Sequence, residues 1–268
     1  MSALTSPSAS AVSAPAPMLA LDKVSKRFGG LSVLEDVSFA VPKGCVFGLI
    51  GPNGAGKTTV FNLVTGLIAP TGGAITLGGE SLIGKKPHRI TRLGIARTFQ
   101  NIRVFKEMTL RENVVVGMHT HLGYGVPQWL FSLPGYRAAE RRAAERAEEL
   151  LSWVGLGGRA SDIADNLSYG GQRRLELARA LATEPSLLLL DEPVAGMNSG
   201  EKDELMAVIG RIVSRGYTVF LIEHDMRFIM GLCERIAVIN FGRVIAEGPP
   251  DAIRSDPAVI EAYLGREE

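Results

Sequence analysis

The spacing of apolar residues changes several times along this chain, and each change marks an element. From Met18, Leu19, Leu21 and Val24, then Leu34, Val37, Phe39 and Val41, recur at roughly alternate positions, which predicts two edge strands of an antiparallel sheet. Cys45 to Ile50 is a continuous apolar run and reads as a buried strand, whereas Val60, Phe61, Val64, Leu67 and Ile68 return at helical spacing. Ala69-Pro70-Thr71-Gly72-Gly73 breaks the chain before a short strand at Ala74–Leu77. A further strand runs from Gly94 toward the amides Gln100 and Asn101, and Arg111 to His119 reads as a helix.

Beyond it, residues 119–134 are rich in Gly, Pro and aromatics without a period and read as a surface loop. His119 and His121 stand two apart there, a poor metal spacing, so no metal site is expected. Arg137 to Trp153 carries Ala143, Ala147, Leu150, Leu151 and then Val154 at helical spacing, with mixed charges on a solvated face. Asn166 to Gln172 opens a helix bearing Leu175, Ala178, Leu181 and Ala182, which must end before Pro185. Leu187–Leu190 and Tyr217–Ile222 are unbroken apolar runs of the kind buried on both faces of a parallel sheet. Between them Asn198 to Gly216 reads as a helix with Asn198 and Glu201 as its capping pair. Buried strands alternating with helices make this an α/β fold with an antiparallel edge.

Composition narrows the classes. With 29 basic and 28 acidic residues the net charge is +1, which gives no electrostatic reason to expect nucleic acid as a partner. Cys45 and Cys233 are too few for a disulfide framework and read as buried small hydrophobes. No run approaches 18 apolar residues, so no bilayer span is predicted. Residues 1–17 are Ala, Ser and Pro without a basic start and read as a disordered leader; one domain is expected over 18–268.

The chemistry centres on Gly51-Pro52-Asn53-Gly54-Ala55-Gly56-Lys57-Thr58-Thr59, which fits G-x-x-x-x-G-K-[ST]. Glycines let the backbone close around a phosphate chain, Lys57 supplies a point charge for the β- and γ-phosphates, and the Thr58 hydroxyl is a ligand for Mg²⁺. The motif sits between a predicted strand and a predicted helix, so phosphates would lie on a helix N-terminus. This is a nucleoside triphosphate site. Two other strands end in charge: Leu187–Leu190 in Asp191-Glu192, and Tyr217–Ile222 in Glu223-His224-Asp225. Ligands gather at the carboxyl edge of an α/β sheet, which makes Asp191, Glu192 and His224 candidates for chemistry rather than structure. Phe28, beside Lys26 and Arg27, either stacks on a base or covers the core; Ser168 reads as a helix N-cap.

In order, GPNGAGKTT, Gln100, Leu167-Ser168-Tyr169-Gly170-Gly171, LLLLDEP and His224 resemble the ATP-binding-cassette ATPases, over essentially Met18 to Gly265. The resemblance implies a P-loop NTPase core of the RecA-like kind, an antiparallel β edge, and a helical subdomain over about 101–166. It implies roles as well. Phe28 stacks on adenine; Gly51 to Thr59 hold the phosphates; Thr58, Gln100 and Asp191 serve Mg²⁺. Glu192 is the general base, assisted by Gln100 and His224, and Ser168 and Gly170 contact the γ-phosphate held by an opposite subunit. The working unit is then a dimer of ATPases, identical or not. Tyr169 and Asn198 depart from the commonest family pattern, where Gly and Asp stand.

Within the family, RFGGL, RTFQNIRVF, MTLRENV, DEPVAGMN, LIEHDM and AYLG are similar to one ATPase subunit of branched-chain amino-acid importers, for which Tyr169 and Asn198 are usual. That subgroup implies two transmembrane permease subunits, a periplasmic or extracellular binding protein, and a peripheral position on the cytoplasmic face of the membrane. An ATPase for lipid export, or a non-transport switch of the same fold, is the alternative.

Overall fold

The computed structural model describes residues 16–118 and 134–264. The leader up to residue 15, His119, His121, all but Pro134 of the loop expected over 119–134, and the closing Gly265 lie outside the described residues.

Two sheets face each other. The larger has six strands in the order β10-β9-β3-β8-β7-β6. These are β3 (Val46–Ile50), β6 (Ile95–Arg97), β7 (Leu187–Asp191), β8 (Thr218–Ile222), β9 (Arg235–Asn240) and β10 (Arg243–Gly248). All adjacent pairs are parallel except β9 with β10. Every residue of β3, β7 and β8 is buried, which is why these strands read as continuous apolar runs. The second sheet, antiparallel, has the order β2-β1-β4-β5: β1 (Leu19–Phe28), β2 (Leu31–Val41), β4 (Gly72–Leu77) and β5 (Glu80–Ser81). Here β1 is interior, not the edge strand its alternation predicts, because β4 pairs along its far side from Leu19↔Leu77 to Ser25↔Gly72. Strand β6 is also shorter than expected. Only Ile95, Ala96 and Arg97 pair with β7, and Gln100 lies in the loop beyond.

Helix α1 (Lys57–Val64) comes after β3 and is packed between the sheets. Phe39, Phe47, Phe61 and Phe220 meet there with ring centroids 4.9 to 5.7 Å apart. Burying aromatics of this kind is worth roughly 3–5 kcal/mol each against truncation to alanine. On the other face of the large sheet lie α3 (Leu110–Gly117), α4 (Pro134–Trp153), α5 (Tyr169–Leu181), α6 (Ser199–Val213) and α7 (Met226–Leu232). A Thr109–Glu112 capping box starts α3. Asn198 and Glu201 form the expected box at α6. Short helices α2 (Pro87–Arg92), α8 (Pro250–Ser255) and α9 (Pro257–Leu264) are the other α-helices among the described residues. Cys45 and Cys233 are free and buried, and burial raises their thiols to about 11 and about 12. Among the described residues no helix is long and apolar enough to cross a membrane.

The parallel register brings strand ends level. Leu49 lies opposite Ile222, and Ile222 opposite Asp191. The loops leaving the carboxyl ends of β3, β7 and β8 therefore emerge along one edge of the sheet.

Candidate functional site

The loop after β3 is held by backbone. A Cβ on Gly51 would overlap the Ile239 carbonyl oxygen of β9, so only glycine lets the loop leave the sheet there. Gly56, at φ 105°, caps α1 in a left-handed conformation and brings no side chain to the helix end. The first amides of α1 consequently have no side-chain cap, the condition that suits an anion. Lys57 is buried, and its ammonium donates to the carbonyls of Gly51 at 2.6 Å and Pro52 at 2.9 Å. Burial pulls the Lys57 ammonium below the ordinary lysine range, while the Glu192 carboxylate acts in the opposite direction. Asn53, Gly54 and Thr58 are exposed, Pro52 and Thr59 are half-buried, and Ala55 is buried.

Across the edge, Glu192 comes directly after β7 with φ 46°, a left-handed conformation that costs a non-glycine residue energy and persists only where neighbours enforce it. Its amide donates to the Ile222 carbonyl at 2.9 Å. Its carboxylate accepts from Gln100 Nε2 at 2.9 Å and lies 3.9 Å from His224 Nδ1. Gln100, Glu192 and His224, from three separated stretches, thus meet. Asp191 is buried and ion-paired to Arg97 at 2.7 Å. Arg97 in turn donates to Asn62 of α1 at 2.8 Å and lies over the rings of Phe61 and Phe99. Glu223, fully buried, accepts from the amides of Val194, His224 and Asp225.

Ser168 is the N-cap of α5, its Oγ accepting from Gly171 at 3.2 Å. The Gly170 amide donates at 3.2 Å to Glu201 of α6, so an anion at this helix end would share that amide with a carboxylate already present. The same helix grips the Gln100 loop. Buried Arg173 donates to the carbonyls of Phe99 and Gln100, both at 2.6 Å, and pairs with Glu176 at 2.9 Å. Glu176 accepts from the Arg103 amide, and burial raises its carboxyl against the lowering pull of Arg173. Phe28, at the end of β1, is 48% exposed and belongs to neither core, with the Lys26 ammonium 4.7 Å from its ring centre.

Sequence reasoning gave Arg97, Arg173 and Glu223 no part in the site, and it gave Glu201 only that of a helix cap. Arg97 and Glu223 did leave a signal, since each is a charge at the end of an apolar strand. Arg173 left none, and nothing local tied Glu201 to Gly170, because helix faces carry such residues routinely.

Oxygen donors of Thr58, Asp191 and Gln100 suit Mg²⁺, a hard cation that takes one or two protein oxygens and completes its shell with phosphate and water. Among the described residues no group of three or more His, Cys, Asp or Glu is placed to hold a metal ion.

Comparison with known proteins is consistent along the chain. Residues 34–195 match the family described as ABC transporter, and residues 243–268 match that of the branched-chain amino acid ATP-binding cassette transporter. The high-affinity branched-chain amino acid transport ATP-binding protein BraF of Pseudomonas aeruginosa is 48% identical over 93% of this chain and 98% of its own length. Its counterpart LivG of Escherichia coli is 45% identical over the same shares. Among solved structures, the ADP conformation of the cassette MJ1267 superposes with a TM-score of 0.81 and 32% identity, covering 93% of this chain and 99% of that one. A dimeric post-hydrolysis cassette, MJ0796 bound to ADP and Pi, superposes with a TM-score of 0.72 and 26% identity over 87% of this chain and 99% of that one.

Proposed function

The chain belongs to the ABC transporter ATPases, and from that premise we propose that it is the ATP-hydrolysing subunit of an importer for branched-chain amino acids. The observation that carries the substrate class is the 48% identity to a branched-chain amino acid transport subunit across nearly the whole of both chains. The match of residues 243–268 to the same class agrees with it.

Within this reading, the loop from Gly51 to Thr59 binds the triphosphate through backbone amides and Lys57, and Phe28 stacks on the adenine. Thr58, Asp191 and Gln100 hold Mg²⁺, which when bound neutralises phosphate charge. Glu192 takes proton density from the attacking water, Gln100 orients that water, and His224 contacts the γ-phosphate. Support comes from the meeting of Gln100, Glu192 and His224 at one sheet edge. Ser168 and Gly170 serve the nucleotide of a second cassette, so that bound ATP joins two ATPase subunits and hydrolysis lets them part. The helical subdomain spans about 101–166, and it docks, together with the Gln100 loop, on two permease subunits at the cytoplasmic face of the membrane. An apolar cleft of about 440 Å³, lined by Leu67, Ile90, Phe99, Phe105 and Val116, favours that docking face. A binding protein outside the membrane would supply the substrate to the permeases.

Uptake of radiolabelled leucine at low concentration tests the reading. Deleting the gene is expected to abolish high-affinity uptake, with recovery on return of the parent gene but not of Glu192→Gln. Unchanged uptake of leucine, isoleucine and valine after deletion would refute the substrate class and leave the ATPase assignment standing.

A further inference from the structure

Glu223 is a carboxylate to which the proposed hydrolysis gives no task. It is fully buried, and among the described residues no Lys or Arg pairs with it. A charge in such a place is expensive unless hydrogen bonds satisfy it. Here three do: Oε1 accepts from Val194 N at 3.0 Å, and Oε2 from His224 N at 2.9 Å and Asp225 N at 3.2 Å. The donors belong to two different segments. His224 and Asp225 come just after β8, whereas Val194 lies two residues past Glu192 in the turn after β7.

That turn is also fastened at its start, where Glu192 N donates to the Ile222 carbonyl at 2.9 Å. Ile222 and Glu223, adjacent in sequence, hold the Glu192 turn from both sides. Their grip accounts for a glutamate that keeps φ at 46°. The same carboxylate fixes the amide of His224, whose ring Nδ1 lies 3.7 Å from Glu223 and 3.9 Å from the Glu192 carboxylate. Only an acceptor-only group takes all three amides; a glutamine would turn its NH₂ toward one of them. An aspartate, one methylene shorter, can keep the two amides next to it in sequence but not the one across the turn.

We propose that Glu223 is a positioning residue for ATP hydrolysis: it ties the turn carrying Glu192 to the segment that opens with His224, and so sets their spacing. The inference rests on the reading of Glu192 as the general base. Misplacing a reacting group by about 1 Å can cost on the order of 100-fold in rate.

The test uses the full chain, measuring phosphate release, affinity for a fluorescent ATP analogue and thermal unfolding for Glu223→Gln, Glu223→Asp and Glu192→Gln. Glu223→Gln and Glu223→Asp are both expected to lower kcat by about 10- to 100-fold while nucleotide affinity stays within about twofold. Added to Glu192→Gln, Glu223→Gln is expected to lower the residual single-turnover rate by a clearly smaller factor than it lowers kcat in the parent, since of the two groups it positions only His224 remains. Parental kcat in the Asp variant would overturn the proposal, for it would reduce Glu223 to a local cap of the His224 segment. So would an equal fold-loss with and without Glu192, or affinity falling in step with kcat. If Glu223→Gln fails to fold, the Asp variant alone decides. Parental turnover by Glu192→Gln would instead strike the proposed function itself, whatever the Glu223 variants do.

Discussion

The loop that would hold the phosphates and the edge that would cleave them are built in opposite ways. Gly51 to Thr59 is one contiguous stretch whose geometry comes from its own glycines, its own lysine and the helix it opens. Gln100, Asp191, Glu192 and His224 come from three stretches and meet only because β6, β7 and β8 lie side by side. The loop's key cation bonds its own backbone. The edge is stabilised by long-range partners: Arg97 for Asp191, Arg173 for the Gln100 loop, Glu223 for the Glu192 turn. A binding element can be a local device, then, whereas a reacting constellation needs the whole sheet as its jig.

The widest separation between the two regions is expected in function. Glu192→Gln removes the acceptor for a proton and leaves the loop intact. It is expected to cut steady-state phosphate release by about 10²- to 10⁴-fold with ATP still bound, and to accumulate an ATP-bound dimer on size-exclusion chromatography. Lys57→Ala is expected to do the reverse, weakening nucleotide binding by about 10- to 100-fold through loss of a charged hydrogen-bond donor, as titration with a fluorescent analogue would read. Parental phosphate release by Glu192→Gln, or unaltered binding by Lys57→Ala, would erase the distinction.

A smaller effect is expected in stability. Arg97 and Asp191 are nearly excluded from solvent, with side chains 8% and 10% exposed. Arg97→Met strands the Asp191 carboxylate and is expected to cost about 3 kcal/mol in urea unfolding. Asn53→Ala, on the exposed tip of the phosphate loop, is expected to stay within about 0.5 kcal/mol. Similar costs for the two would mean that the edge depends on long-range pairing no more than the loop does.

The smallest effect carries a pH signature. Asp225, next to His224, caps α7 and bonds Lys202 of α6 at 2.6 Å, and that bond holds its carboxyl below the ordinary aspartate range. A lowered carboxyl stabilises the fold above its unfolded value, and the gain disappears as pH falls through the lowered folded value. Lys202→Met is therefore expected to cost less than about 1 kcal/mol near neutrality, and the difference from the parent should vanish in acid. A gap that persists there would point to packing rather than charge.

Much of the architecture was legible in the residues. Continuous runs at Cys45–Ile50, Leu187–Leu190 and Tyr217–Ile222 named the buried strands, helical spacing named α1, α4 and α5, and a capping pair with a glycine stop named α6. Pairing was less legible. β1 alternates as an edge strand would, yet lies inside its sheet, since alternation reports one buried face and says nothing about neighbours on either side. The β9–β10 hairpin, α2, α7, α8 and α9 were not picked out; most are short and leave too few positions for a period to declare itself.

The site divides along the same line. The phosphate loop could be read from the residues alone, because its chemistry needs particular residues at fixed neighbouring positions, and Asp191, Glu192 and His224 stood out as charges at the ends of buried strands. It took the folded arrangement of the strands to bring Gln100 to Glu192, Arg97 to Asp191, and Glu223 between His224 and Val194. Those contacts join residues 29 to 94 positions apart. Local spacing constrains a strand, a turn or a cap, but the partner of a buried charge is set by which strands lie side by side and how far each extends.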